Sequence, residues 1–323
     1  GYVPMARFEE LLGEMLSPRR MADMPAWDLA QFEQPIDSAN IHPRDWRRIA
    51  VHIHDRYRDY DGFVVMHGTD TMAYSAASLS FMLKGLGKPV LVTGSQIPLL
   101  EVRNDAQNNL ITALLLAARY PVPEVCIYFN GRLLRGNRAV KVAADRFDAF
   151  DSPNLPWLGE VGIKIEIHRQ RLLGERGSPD FQLPDYKDCP VAVAQVFPGM
   201  TADWLERILS PPLDGLVLAC YGVGNAPERY PGLLETLKAA TGRGVVVVAV
   251  SQCREGRVDL SSYAAGSALG EAGVIGALDM TLEAAFTKLH HLLALKLHPD
   301  RVRSLMQQDL CGECTPVLPT PAP

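Results

Sequence analysis

The chain has 323 residues, of which 47% are hydrophobic and 21% are charged, and its formal net charge is −5. These values are typical of a globular protein with more than one domain. The acidic balance argues against nucleic acid and against an anionic membrane surface as partners. No run of about 18 uncharged apolar residues occurs, so the sequence predicts no transmembrane helix.

Strands and helices alternate through the first half of the chain. A helix over residues 45–60, with Pro43 as its starter, precedes a strand over residues 62–66. The pattern then predicts helices over residues 71–86 and 105–118 and strands over residues 89–93 and 124–129. Such alternation is typical of βαβ units, so we predict an α/β fold with a larger, doubly wound, mostly parallel N-terminal sheet.

A proline-rich stretch separates this region from a second α/β series. We assign residues 1–166 to an N-terminal domain, 167–190 to a linker and 191–323 to a smaller C-terminal domain with a parallel sheet. The predicted strands of this second domain cover residues 191–196, 215–219 and 244–251, and its predicted helices cover 201–208, 231–240, 282–294 and 299–306.

The stretch 64–72 carries the strongest functional signal. An apolar strand runs into Gly68, and Thr69 and Asp70 follow at the start of a helical pattern. Parallel α/β proteins place their chemistry at such strand ends, which predicts a hydroxyl and a carboxylate in a site. The competing interpretation is an ordinary helix cap, with Thr69 as the capping residue and Asp70 as its first-turn acid.

A lysine is the candidate base for a hydroxyl nucleophile. Lys141 lies in a basic segment after a predicted strand, and a lysine with a lowered pKa can activate a hydroxyl. A solvated basic loop explains the same segment without any site. Two further strand-end or loop segments are polar, namely 37–40, which contains Asp37 and Ser38, and 93–96, which contains Ser95. The first of these could hold a small carboxylate or could be a simple cap before a helix.

The cysteines give no metal site. Cys311 and Cys314 form a single Cys-x-x-Cys pair, and no second pair is present to complete a zinc site, so we predict no metal and no cofactor. Cys126, Cys220 and Cys253 lie at or near apolar strands and are predicted to be small buried residues. This cysteine usage fits a reducing cytoplasm better than secretion.

Taken together, the segments resemble the bacterial-type L-asparaginase family, and most of all its cytoplasmic type I branch. HGTDTMAY at residues 67–74 looks like the second signature of that family, and VTGSQIP follows at residues 92–98. The similarity continues through residues 135–141, 147–154 and 220–227, and so covers nearly the whole chain.

The resemblance implies hydrolysis of L-asparagine to L-aspartate and ammonia through an acyl-enzyme on a threonine, without a cofactor. Thr69, Asp70 and Lys141 would form the catalytic triad, with Tyr2 on a mobile flap. The residues that the resemblance places around the substrate are Asp37, Ser38, Gly68, Ser95 and, from a neighbouring subunit, Asn225. The active form would then be a homo-oligomer, a dimer of dimers.

One signature of the family is missing from the sequence. A Thr-Gly-Gly-Thr-Ile-type strand and turn precedes the flap tyrosine in the family and carries its primary nucleophilic threonine, so we expect the native protein to contain such a piece. Two other functions remain open at this stage. One is the amidase subunit of a tRNA-dependent amidotransferase, for which a basic RNA-facing surface is expected. The other is a catalytically impaired protein that binds asparagine or aspartate as a sensor.

Overall fold

A six-stranded mixed sheet forms the centre of the N-terminal half. The computed structural model describes residues 12–13, 16, 23–174, 179–186, 189–260 and 264–316, without the side chains of 264–267. The strands of this half are β1 (Phe63–Met66), β2 (Val90–Thr93), β3 (Val125–Phe129), β4 (Arg132–Arg135), β5 (Val140–Lys141), β6 (Phe150–Asp151), β7 (Gly159–Val161) and β8 (Ile165–Ile167). The sheet order is β1-β2-β3-β4-β7-β8, and β5 pairs with β6 in a separate hairpin. β1 to β3 are parallel, as predicted, whereas β4, β7 and β8 are antiparallel additions.

Three helices of this half pack on the sheet: α1 (Pro43–Arg56), α2 (Met72–Met82) and α3 (Ala106–Arg119). Pro43 occupies the first helical position of α1, where its missing N–H costs nothing. A capping box joins His42 and Asp45 and satisfies two of the free backbone donors there. α2 carries no charged residue and is buried along nearly its whole length, as its composition indicates.

The C-terminal half contains a four-stranded, fully parallel sheet in the order β12-β11-β10-β9. Its strands are β9 (Val191–Gln195), β10 (Gly215–Cys220), β11 (Val246–Ser251) and β12 (Ile275–Gly276), and its helices are α4 (Ala202–Ile208), α5 (Leu233–Gly242), α6 (Ala264–Glu271), α7 (Leu282–Ala294) and α8 (Pro299–Met306). The prediction of two α/β domains, the second with a parallel sheet, is confirmed. In the part of the chain that the structure describes, no helix combines the length and the apolar character needed to cross a bilayer.

Three details of the sequence interpretation are wrong. β1 is not the fully buried strand that its apolar run predicts: it is half-buried and Met66 is 38% exposed, because β2 is its one neighbour among the described strands. Cys253 is exposed, because it lies in the turn after β11 rather than in the strand. α6 and β12 were not predicted, since one is rich in small residues and the other has only two.

The contact between the two halves buries two adjacent histidines of α7. The His290 ring meets the Tyr186 ring edge-on at 4.7 Å, and the Tyr186 hydroxyl lies 3.1 Å from Nδ1 of His291. Burial, helped by the charge of His42, lowers the pKa of His290 to about 4. Burial, helped by His290 and Lys84, lowers the pKa of His291 to about 3. Both imidazoles are therefore neutral in the folded protein at neutral pH.

We expect acid to destabilise the fold through these histidines. The unfolded chain takes up their protons below its ordinary pKa of 6.5, whereas the folded chain takes them up only near 4 and 3. Their contribution is thus intact above pH 6.5 and falls as the pH drops from there towards 4. Urea unfolding at about pH 7.5 and about pH 5 should show a smaller loss of stability for His290→Gln than for the parent. His54→Gln, at an exposed position, is the control, and equal losses in all three proteins would contradict the assignment.

Candidate active site

Two polar turns lie side by side at the carboxyl ends of β1 and β2. The parallel register pairs Met66 with Thr93, and the His67 N–H donates to the Thr93 carbonyl at 2.8 Å. A Cβ at Gly94 would lie 2.1 Å from the His67 carbonyl oxygen, so this close approach requires glycine. The turn that contains Ser95 therefore packs directly against the turn that contains Thr69.

Thr69 and Asp70 are not the cap of α2. The N-cap of that helix is Thr71, and even Thr71 makes no capping hydrogen bond with its side chain. Its hydroxyl donates instead to the Ser38 carbonyl at 2.7 Å. The capping interpretation of Thr69 and Asp70 is therefore wrong, and the geometry leaves their hydroxyl and carboxylate for other partners.

Lys141 is the partner of both side chains. Its Nζ donates to Thr69 Oγ1 at 2.9 Å and to Asp70 Oδ1 at 2.8 Å. The Lys141 side chain is mostly covered, at 21% exposure, whereas that of Asp70 is 64% exposed and remains open to a ligand. The Lys141 side chain is therefore not solvated like that of a surface loop, and it brings an amine to a hydroxyl seventy-two residues away in the chain.

Close packing at a glycine helps to place the Lys141 hairpin. The 3-10 turn Gly136–Arg138 precedes β5, and it lies against α2. A Cβ at Gly136 would lie 3.2 Å from both the Cβ and the carbonyl oxygen of Ala76. The hairpin then runs on with Lys141 opposite Phe150. The start of α2 and the lysine are thereby brought to the same place.

The segment with Asp37 and Ser38 meets the same turn. A Cβ at Gly68 would lie 2.5 Å from Ser38 Oγ, which shows that the serine hydroxyl lies directly over the glycine backbone. Ser38 is buried, and Asp37 caps the short 3-10 turn Ser38–Asn40 by accepting from the Ala39 N–H at 3.1 Å. Asp37 therefore caps this short turn and not the helix that begins at Pro43, whose N-cap is His42, while Ser38 lies at the candidate site.

A chain of hydrogen bonds from α1 and α2 supports the turn at Gly68. The Trp46 indole N–H donates to Ser75 Oγ at 2.9 Å, Ser75 Oγ lies 2.8 Å from His67 Nε2, and His67 Nδ1 lies 2.7 Å from the Gly68 carbonyl oxygen. An indole only donates and a carbonyl only accepts, so Ser75 donates to Nε2 and Nδ1 carries the imidazole proton. Burial lowers the pKa of His67, and its bond to Gly68 only partly offsets this, so the ring is neutral.

A clamp on the second turn was missed by the sequence interpretation. The Asp105 carboxylate, at the start of α3, accepts from the backbone N–H groups of Gln96 and Ile97 at 3.0–3.1 Å. The side-chain amide of Gln96 donates in turn to two carbonyls of the loop after Lys141, those of Ala144 and Arg146. An acid at the first position of the predicted helix over residues 105–118 was the available signal, since such a side chain often binds backbone N–H groups nearby.

Two predicted site residues lie elsewhere. Tyr2 lies outside the described residues. Asn225 lies on the second domain, in a tight turn after β10 where it forms an isolated antiparallel bridge with Tyr221. Ser95 sits in the clamped turn, next to the site.

Comparisons with known proteins identify the family of both domains. The family model described as "Asparaginase, N-terminal" matches residues 1–173, and "Glutaminase/Asparaginase C-terminal domain" matches residues 190–306. The chain is 46% identical to L-asparaginase 1 of Escherichia coli over 98% of its own length and 93% of that protein. It is also 44% identical to the human 60 kDa lysophospholipase, over 88% of this chain and 49% of that protein.

A solved structure extends the likeness to the backbone. The crystal structure of L-asparaginase I from Vibrio cholerae superposes with a TM-score of 0.89 at 45% identity, covering 98% of this chain and 94% of that one. Both domains thus match in sequence and in shape. The protein belongs to the asparaginase family.

Proposed function

We propose that this protein is an L-asparaginase, which hydrolyses L-asparagine to L-aspartate and ammonia. The observation that carries the proposal is the contact of Lys141 Nζ with both Thr69 Oγ1 and Asp70 Oδ1, at 2.9 and 2.8 Å. A lysine amine that contacts both a hydroxyl and a carboxylate provides the nucleophile and the base that an acyl transfer to threonine requires. Membership of the asparaginase family supports the choice of substrate.

The geometry suggests how the proton moves. Lys141 acts as the general base and takes the proton of the Thr69 hydroxyl as Thr69 Oγ1 bonds to the side-chain amide carbon of asparagine. The same proton passes to the amide nitrogen, so that the C–N bond breaks and ammonia leaves. Water then attacks the aspartyl ester, its proton is taken by Lys141, and Thr69 regains its hydroxyl proton as aspartate leaves.

The remaining residues of the site are assigned to substrate binding. Asp70 faces the α-ammonium of the substrate, and its exposed carboxylate supports this role. Ser38, with Asp37, binds the α-carboxylate, while the Ser95 backbone carbonyl lies near the side-chain amide. Gly68 allows the substrate to approach the backbone, and Tyr2 closes over it.

Asp70→Asn is the test of substrate recognition. The variant keeps the shape of the side chain but removes the charge that faces the ammonium. Removing the charge leaves the substrate ammonium without its ionic partner, so we expect kcat/KM for L-asparagine to fall at least tenfold, which corresponds to about 1.4 kcal/mol. Ammonia release by the parent and the variant is the measurement. If the parent binds aspartate but releases no ammonia, the protein is the sensor considered above. If the Asp70→Asn variant is fully active, Asp70 has no role in substrate binding.

We also propose that the protein works as a homo-oligomer, a dimer of dimers in the cytoplasm. The support is the position of Asn225, which lies on the second domain while the triad lies on the first. The six cysteines are all free, which suits a reducing compartment. A shared site of this kind needs a large obligate interface, in which the two subunits together bury more than about 2,000 Å² of accessible surface.

Mixing two inactive variants tests the shared site. Lys141→Ala removes the lysine from a subunit's own site. Asn225→Ala removes the residue that this subunit contributes to the site of its neighbour. In a mixed dimer, one site pairs an intact Lys141 with an intact Asn225, so the refolded mixture should exceed the average activity of its two parents. A mixture that never exceeds this average, together with a fully active monomer on size exclusion, would contradict the proposal.

A further inference from the structure

The segment that follows α8, residues 309–315, contacts both domains, and we refer to it as the C-terminal latch. Its attachment to the second domain is an ion pair between Lys288 and Glu313 at 2.6 Å, in which neither side chain is exposed. The Glu313 carboxylate also accepts from the backbone N–H groups of Leu310 and Cys311. Lys288 donates further to the carbonyl of Gln308 at 2.6 Å. This end of the latch is therefore held firmly to α7.

The other side of the latch is held by Arg138 of the first domain. Arg138 is 2% exposed, and its Nε donates to the Gly312 carbonyl at 2.9 Å. Its Nη2 donates to Thr315 Oγ1 at 3.1 Å, and its Nη1 pairs with Asp279 Oδ2 at 3.0 Å. Thr315 returns two hydrogen bonds to the Asp279 carboxylate. The guanidinium thus joins both domains and the latch at one point.

The latch contacts lie directly before the catalytic lysine. Asn137 donates to the Cys311 carbonyl at 3.0 Å, so two residues of the turn Gly136–Arg138 are bound, and β5 with Lys141 follows at once. On the far side of Lys141, the carbonyl of Val142 accepts from Arg254 of the second domain at 3.3 Å. The strand that carries Lys141 is therefore held on both sides of the lysine by groups outside the first domain.

We propose that the C-terminal latch, through Arg138, is a positioning device for Lys141. A lysine that must contact a hydroxyl and a carboxylate at once tolerates little displacement, and a misplacement of about 1 Å can cost about 10²-fold in rate. Substrate binding is assigned to Asp70, Ser38 and Ser95, whereas the hydrogen bonds of Arg138 and Asn137 described above link the latch to the turn before Lys141. The kinetic part of this inference rests on the proposed asparaginase activity.

Two shortened chains test the latch as a whole. A chain that ends at Pro316 keeps every latch contact described above, and we expect the parental kcat. A chain that ends at Gln308 lacks the latch, and we expect its kcat to fall roughly 10–10²-fold while KM changes much less. Parental kcat in a folded chain ending at Gln308 would overturn the proposal.

Arg138→Gln tests the same inference without removing the segment. Its matched control is Arg303→Gln, since Arg303 also donates to carbonyls, those of Thr241 and Val245, but wholly within the second domain. Both variants should lower Tm, whereas only Arg138→Gln should lower kcat. Arg138→Lys, which keeps the charge beside Asp279, should recover part of the lost kcat.

Hydrogen exchange gives a readout that needs no substrate. The amides of Val142 and Ala143 donate to the Ala149 carbonyl across the Lys141 hairpin. They should exchange faster in Arg138→Gln than in the parent or in Arg303→Gln. Unchanged exchange with unchanged kcat overturns the latch, whereas a parent that exchanges as expected but does not hydrolyse asparagine overturns only the proposed function.

Discussion

Replacing Lys141 or Thr69 by alanine is expected to lower kcat roughly 10²–10⁴-fold while the protein stays folded. Lys141 is the nitrogen within hydrogen-bond distance of the Thr69 hydroxyl, and the loss of either group removes the activated nucleophile. Neither side chain belongs to a hydrophobic cluster, so circular dichroism and Tm should stay close to those of the parent. Steady-state release of ammonia from L-asparagine is the measurement.

Two conservative variants sharpen this test. Thr69→Ser keeps the hydroxyl and should keep most of the activity. Lys141→Arg keeps the positive charge beside Asp70 but cannot give up its proton, so it should be nearly as inactive as Lys141→Ala. An active Lys141→Arg variant would show that the lysine acts only through its charge, and normal turnover in Lys141→Ala would remove it from the triad.

Lys288→Met is expected to lower the free energy of unfolding by about 3–5 kcal/mol. Burial by itself would raise the pKa of Glu313, but the Lys288 ammonium and the backbone N–H groups of Leu310 and Cys311 outweigh it and lower that pKa. Without Lys288 the Glu313 carboxylate either stays charged in a buried, desolvated position or takes up a proton. Urea unfolding near neutral pH gives the loss directly.

A double variant and a surface pair are the controls. Lys288→Met combined with Glu313→Gln removes both charges and keeps an acceptor for the backbone N–H groups, so it should be more stable than Lys288→Met alone. Arg146→Met breaks an exposed pair with Asp148 at 3.6 Å and should cost less than about 1 kcal/mol. If Lys288→Met and Arg146→Met lower the free energy of unfolding equally, the buried pair contributes no more to stability than the exposed one.

The parallel parts of the fold could be predicted because their signals are local. β2, β3 and β11 are continuous apolar runs bounded by turn residues, and they were placed within a residue or two. β5, β6 and β12 have two residues each, which is too short to show any period. These strands form because they pair with other segments of the chain. The pattern of a single sequence does not show which segments will pair.

The candidate site shows the same limit. The Thr69–Asp70 turn was visible because it joins a strand to a helix, but the contact with Lys141 crosses seventy-two positions and no spacing rule predicts it. The resemblance to a family supplied that pairing before the structure did. Asp105 was missed because its carboxylate serves the backbone of Gln96 and Ile97, a partner that no side-chain motif reveals.

The latch also bears on how such a protein can diverge. Cys311 and Gly312 contribute main-chain carbonyl oxygens to Asn137 and Arg138, and every amino acid has such an oxygen. Selection on these two contacts therefore acts on the path of the backbone, which at Gly312 has φ +84° and leaves no room for a Cβ beside Arg135. Relatives can therefore differ at residue 311 and keep its carbonyl contact, whereas Glu313 and Thr315 contact Lys288 and Asp279 through their side chains and are constrained in identity.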